Sequence, residues 1–185
     1  MKRIIVGISG ASGAIYGIRM VEALKGLAET HLIVSHAGRE TISLETSCGI
    51  GEVEAMASFV HKIDDIAAPI SSGSFRTDGM IIIPCSIKSL SAVANSYTEN
   101  LMARAADVTL KERRRLVLAV RECPLHSGHL KLMVRASEMG AIIFPPVPAF
   151  YYRPESLDEV VNHTVGKILD LFNLEHPFRR WEGKD

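Results

Sequence analysis

The stretch IIVGISGASGAIYG, residues 4–17, decides the fold of this chain. Ile4, Ile5 and Val6 are apolar in succession, the pattern of a strand buried on both faces. Gly7, Gly10 and Gly13 then break the run. Beyond them apolar residues recur at helical spacing through Ile18, Val21 and Leu24, with Met20 and Leu27 beside them. Strand, Gly/Ser turn and helix make the opening unit of a parallel α/β sheet. The rest of the chain repeats that unit. Strands are expected at 2–8, 30–35, 81–84, 116–120 and 141–144, and helices at 14–27, 90–94, 101–114 and 130–139. Ser156-Leu157-Asp158-Glu159 has the form of a capping box opening a last helix, with Leu157, Val161, Val165, Ile168 and Phe172 along one stripe.

The 185 residues suffice for one domain with a real core, so residues 1–185 are expected to form a single unit. The tail from about residue 175 is polar, and its isolated Trp181 is expected to dock on a neighbouring subunit. Lys plus Arg number 21, as do Asp plus Glu, so no net field recruits nucleic acid or an acidic membrane surface. The first apolar run is too short for a secretory signal and no run spans a bilayer, which predicts a cytoplasmic protein. Cys48, Cys85 and Cys123 are odd in number and widely spaced, so buried free thiols are expected rather than a disulfide or a zinc site.

The glycine loop fits none of the common nucleotide or nucleophile motifs. No two of Gly7, Gly10, Gly13 and Gly17 lie two apart, as the dinucleotide fingerprint requires. Ala14 and Ile15 follow Gly13 where a Walker A loop needs Lys and Ser or Thr, and neither Ser9 nor Ser12 has the second glycine of a nucleophile elbow. A turn feeding a helix N-terminus remains. Its amides and dipole favour an anion, while Ser9 and Ser12 serve equally as hydroxyl donors or as plain caps.

The expected strand ends carry a second set of polar groups. Ser35 closes the second strand, and Ser86, Lys88 and Ser89 of PCSIKSL follow the third. Arg121 and Glu122 close the fourth, and the fifth runs into PPVPAFYYR with Tyr151, Tyr152 and Arg153. Ligands of open α/β sheets gather at these carboxyl ends. The ligand expected here is polar, phosphorylated and partly aromatic. His126 and His129 lack a carboxylate or thiol at ligand spacing and are read as helix-start residues near the pocket, not as a metal site.

The motifs GISGASGAIYG, SLET, SGSF, GMIIIPCSIKSL, RAADVTLKERRRLVLAVRE, PLH and PPVPAFYYRP, in this order and spacing, closely resemble the UbiX-like flavin prenyltransferase family. The resemblance runs nearly end to end. It implies a flavodoxin-like, Rossmann-like three-layer sandwich that binds FMN, uses no metal and assembles as a homododecamer. The implied reaction joins a dimethylallyl group from dimethylallyl phosphate to N5 and C6 of reduced FMN, and the prenylated FMN serves a UbiD-type decarboxylase. By the same resemblance Gly10, Ala11, Ser12, Ser35, Ser86, Ile87, Lys88, Ser89, Arg104 and Arg121 would hold FMN. Tyr151 and Lys167, with Arg121 and Lys111, would hold the allylic phosphate, and Ser12, Lys111 and Glu122 would act in catalysis. Some family members carry a tryptophan in the loop before SGSF. Here that loop, DDIAAP at 64–69, has none.

These residue types suit the chemistry. An allylic phosphate departs readily only where fixed donors meet its growing charge, and closing the second bond needs a carboxylate or the phosphate to carry a proton from a ring carbon. By local sequence alone, Lys111 reads as part of a solvated helix face, Lys167 as a surface lysine, Glu122 as a partner of Arg121 or Arg104, and Tyr151 as loop packing. Two other functions share the fold and the flavin. A peptidyl-cysteine decarboxylase would carry a PASANT loop where this chain has PCSIKS, and a non-catalytic FMN-carrier subunit would need no allylic phosphate site.

Overall fold

The structure, a computed structural model, describes residues 1–178, 180 and 183. Trp181 lies outside the described residues. Six parallel strands form one sheet: β1 (Lys2–Ile8), β2 (Ala28–Val34), β3 (Phe59–His61), β4 (Gly79–Cys85), β5 (Arg115–Val120) and β6 (Ile142–Ile143). Their spatial order is β3-β2-β1-β4-β5-β6. Without the short edge strand β3, the order is that of a flavodoxin-like sheet. The direction of winding reverses between β1 and β4, and the carboxyl ends of these two strands flank the crevice where such folds take their ligands.

Alternation within β1 explains the two-sided core. Ile4, Val6 and Ile8 face a cluster with α1 (Ala14–Leu24), α2 (His36–Glu45), α3 (Ile50–Met56) and α7 (Leu157–Leu171). Ile5 faces the opposite cluster, built with α4 (Ile87–Ala94), α5 (Leu101–Lys111) and α6 (Ser127–Glu138). Covering both faces is why the strands read as unbroken apolar runs.

Several expected elements shift for local reasons. The first helix ends at Leu24 rather than at 27, because Lys25 leaves the helical region and Gly26 takes a φ of +79°. The helix from Leu101 stops at Lys111, and Arg113 turns to a φ of +57°. The fifth expected strand shrinks to Ile142–Ile143. Helices α2 and α3 and strand β3 were not expected. Helix α2 buries only Gly38 and Ile42, and Phe59 and Val60 of β3 are half exposed, so none carries a strong periodic signal. Ser156 caps α7 by accepting the Glu159 N–H at 3.2 Å, but the Glu159 carboxylate accepts the Glu155 N–H rather than closing the box on Ser156. On the α7 stripe, Leu157 is exposed while Val161, Val165, Ile168 and Phe172 are buried.

The three cysteines are unpaired, but only Cys85 is buried, and burial pushes its thiol up to about 12. Cys123 is exposed and Cys48 is half-buried, contrary to the expectation of three buried thiols. The described part of the tail folds back on its own α7. His176 Nε2 lies 3.1 Å from Asp170, Arg180 donates to the same carboxylate at 2.9 Å, and Phe178 packs on the core. Among the described residues no helix is long and apolar enough to cross a membrane.

Candidate active site

Ser9 ties the two switch-point strands together. Its buried hydroxyl donates to the Pro84 carbonyl at 2.8 Å and accepts the Ser86 N–H at 2.8 Å. The ends of β1 and β4 are thereby locked, and a crevice of about 550 Å³ opens above them. Gly10, Ser35, Ser86, Lys88 and Ser89, all among the expected site residues, line it. Ile82, Val93 and Met102 supply an apolar floor, and His36, Asp64 and Asn100 complete the rim. Gly10 is required by close approach, since a Cβ there would stand 2.4 Å from Ala37 Cβ.

Three helices begin at this crevice. Ser35 caps α2 by accepting the Gly38 N–H at 3.0 Å. Ser86 caps α4 by accepting the Ser89 N–H at 3.3 Å, with the two hydroxyls 3.1 Å apart. Asn100 caps α5 by accepting the Ala103 N–H at 3.0 Å. Lys88 is mostly exposed, its Nζ 3.2 Å from Glu99. Ala11 is buried beside Gly10. Ile87 is not among the residues of the crevice and lines instead the groove between α4 and α6, with His126 and His129. His126 caps α6 through Nδ1, which accepts the Gly128 N–H at 3.0 Å.

The glycine loop does meet an anion, and that anion belongs to the chain. Glu45 Oε2, at the end of α2, accepts the Gly13 N–H at 2.7 Å and the Ala14 N–H at 3.0 Å, and the Ser12 hydroxyl lies nearby. Gly13 makes this possible with a φ of +96°, a conformation costly for any residue with a Cβ. Partial burial opposes ionisation of Glu45. The Ser12 hydroxyl, the two amides and the nearby Arg121 charge outweigh it and hold the carboxyl below the usual range. Arg121 also bears on Tyr16, whose phenol is pushed up by burial against the opposing effects of Thr164 and Arg121. Glu45 was missed in the sequence, where SLET marked a family motif but gave no hint that its glutamate returns to residue 13.

Tyr151 and Lys167 line a cleft of about 300 Å³ with His163, Asp170, His176 and Arg180. Arg104 and Lys111 line a separate, open groove with Ser71, Ser72, Gly73, Ser74 and Glu112. There Arg104 donates to the Ser71 carbonyl at 3.1 Å and to Asp107 at 3.2 Å, while Lys111 pairs with Glu112 at 2.5 Å. Glu122 is exposed and accepts the Cys123 N–H at 3.1 Å. The expected site residues therefore fall into separate clefts of a single chain. Among the described residues no three metal-ligating side chains converge.

The main crevice fits FMN by size and by donor set. Its volume lies in the range of cofactor sites, its floor is apolar enough for a flat ring system, and its rim offers serine hydroxyls and a lysine for a ribityl phosphate.

The Flavoprotein family model matches residues 1–168. The flavin prenyltransferase UbiX of Escherichia coli is 60% identical over 99% of this chain and 100% of its own length. The Thauera aromatica flavin prenyltransferase UbiX is 57% identical over 99% of this chain and 95% of its own. The crystal structure of AnUbiX in complex with FMN and dimethylallyl pyrophosphate superposes with a TM-score of 0.97 at 49% identity, covering 100% of this chain and 99% of that one. A dodecameric FMN-dependent UbiX-like decarboxylase from Escherichia coli superposes at 0.96 with 50% identity, covering 98% and 100%. With its parallel sheet, its switch-point crevice and this likeness along nearly its whole length, the chain belongs to the UbiX-like flavin prenyltransferase family of flavoproteins.

Proposed function

We propose that this chain transfers the dimethylallyl group of dimethylallyl phosphate to N5 and C6 of reduced FMN, making prenylated FMN for a UbiD-type decarboxylase. The observation that carries the reading is the crevice above β1 and β4, hydroxyl-rimmed and apolar-floored, in a chain at least 57% identical to two UbiX flavin prenyltransferases. Reduced FMN bound there supplies the nucleophilic nitrogen and ring carbon of the reaction. Gly10, Ala11 and Ser35 hold one side of it, Ser86, Lys88 and Ser89 at the start of α4 hold the other, and Ile87 contributes through its backbone. In this reading residues 1–185 act as one cytoplasmic flavoprotein domain.

The remaining residues manage charge and protons. Arg121, Tyr151, Lys167 and Lys111 are fixed donors for the departing phosphate, and no metal ion is required for that task. Glu122 carries away the proton lost from C6, and Ser12, held against Glu45, orders proton movement at N5. Arg104 and Lys111 line a groove apart from the main crevice, which supports a reading in which they serve the site of a neighbouring copy. The dodecamer of the structural relative supplies a precedent for such an assembly.

Anaerobic incubation with reduced FMN and dimethylallyl phosphate, followed by mass analysis of the flavin, tests the reaction. The expected product carries one added dimethylallyl unit. Recovery of unmodified FMN would sink the proposal. Parallel incubation with the diphosphate ester identifies the preferred donor.

A further inference from the structure

Tyr151 and His163 meet beside the cleft that also holds Lys167. His163 Nε2 lies 3.0 Å from the Tyr151 hydroxyl oxygen. The His163 ring stacks on Tyr152, with centroids 4.4 Å apart and planes 15° from parallel. Tyr152 is itself buried, and its hydroxyl donates to the Glu159 carbonyl at 3.3 Å. The imidazole is therefore held by its face and by its edge. Lys167 follows His163 by one helical turn and lies on the same side of α7.

This arrangement bears on which way the Tyr151 proton points. A phenol carries one proton. Donated to His163, it leaves an oxygen lone pair facing any phosphate in the cleft, which is repulsive. Accepting from His163, Tyr151 turns its own proton to the anion, and each bond of the chain polarises the next. Burial and the Lys167 ammonium both push the His163 pKa down, which favours the neutral ring with its single N–H.

We propose that His163 is a positioning residue of the phosphate grip: its Nε2–H donates to Tyr151, which directs the Tyr151 O–H to the phosphate of the allylic substrate beside Lys167. The inference rests on the reading of Tyr151 and Lys167 as phosphate ligands and adds a residue that the sequence motifs did not single out.

The test uses the full chain loaded with oxidised FMN, titrated calorimetrically with dimethylallyl phosphate, beside steady-state kinetics with reduced FMN. His163→Phe is expected to raise the Kd and the KM for dimethylallyl phosphate about tenfold, the effect of losing one oriented hydrogen bond, with FMN affinity unchanged. His163→Gln, whose amide N–H falls near the position of Nε2, is expected to recover most of that loss. Tyr151→Phe is expected to lose at least as much, and adding His163→Phe to it to cost no more than about twofold further. Fully additive losses would overturn the proposal, as would a His163→Gln protein as weak as His163→Phe. Unchanged binding in His163→Phe beside weakened binding in Tyr151→Phe would overturn it while leaving Tyr151 as a phosphate ligand. Unchanged binding in Tyr151→Phe would remove both.

Discussion

Glu45 Oε2 accepts the Gly13 N–H at 2.7 Å, so the last residue of α2 closes the first turn of α1 across 32 positions of sequence. A helix N-terminus leaves its first amides without partners, and Gly13 has no side chain to cap them. Glu45 does that work. Glu45→Ala is expected to cost about 0.5–2 kcal/mol, the range for a lost cap. Chemical denaturation measures it, and an unchanged midpoint would show that solvent replaces the carboxylate. The pH dependence has a defined sign. The folded carboxyl titrates below its ordinary value, so its contribution is present above about pH 4.5 and fades as pH falls through the lower folded value. Glu45→Gln should flatten the stability profile in that acidic window.

Ser9→Ala removes the hydroxyl that bridges Pro84 and Ser86. The Ser86 amide then loses its partner at a part-buried position, at a cost of about 1–3 kcal/mol. A lower urea midpoint with an unchanged m value is expected. Weaker FMN binding should accompany it, because the same bridge sets the crevice floor.

Lys167→Met is expected to lower kcat/KM for dimethylallyl phosphate about ten- to a hundredfold, as the loss of one charge-assisted donor predicts. FMN affinity should not change, since Lys167 lines a different cleft from the serines. Loss of FMN affinity in this variant would place Lys167 on the cofactor instead.

Glu122→Gln keeps shape and loses proton capacity. Product formation is expected to fall by about 10²–10⁴-fold, the usual worth of a positioned acid or base, with FMN and dimethylallyl phosphate still bound. Full turnover would take Glu122 out of the mechanism.

The edge of the sheet gives an acid-sensitive region away from the crevice. His31 is buried between Phe59, His61 and Phe75, with Nδ1 2.9 Å from His61 and Nε2 2.9 Å from Glu29. Burial pushes both histidines down, and in His31 it outweighs Glu29. A depressed histidine stabilises the fold above its unfolded value and loses that contribution as pH falls through the folded one. Urea midpoints should therefore drop below about pH 6.5, the unperturbed histidine value. Glu29, held at about 2 by hydrogen bonds from Arg3 and His31, releases its share only in stronger acid. His61→Gln should reduce the change between neutral pH and pH 5.5, and an unaltered profile would exclude His61 as a source.

The amino-acid pattern by itself determined what is local. Apolar runs marked β1, β2, β4, β5 and β6, because strands covered on both faces bury most of their residues. Ser86 and Ser156 stood at helix starts, where a short hydroxyl side chain meets orphan amides one turn ahead, whereas Ser35 was read only as a strand end. The spacing and identity of the residues in the glycine loop ruled out three common motifs without reference to any distant neighbour. Strand β3 and helices α2 and α3 were not legible, since each buries too little for a periodic signal. Only the tertiary structure decided the pairings across long separations: Ser9 with Pro84 and Ser86, Glu45 with Gly13, His163 with Tyr151. Such pairs depend on how β1, β2 and β4 are ordered in the sheet and on where α7 returns. A residue's own neighbours carry no trace of a partner brought to it by a crossover. For the same reason the sequence gathered Arg104, Lys111, Tyr151 and Gly10 into one expected site, while the fold sets them in three clefts of one chain.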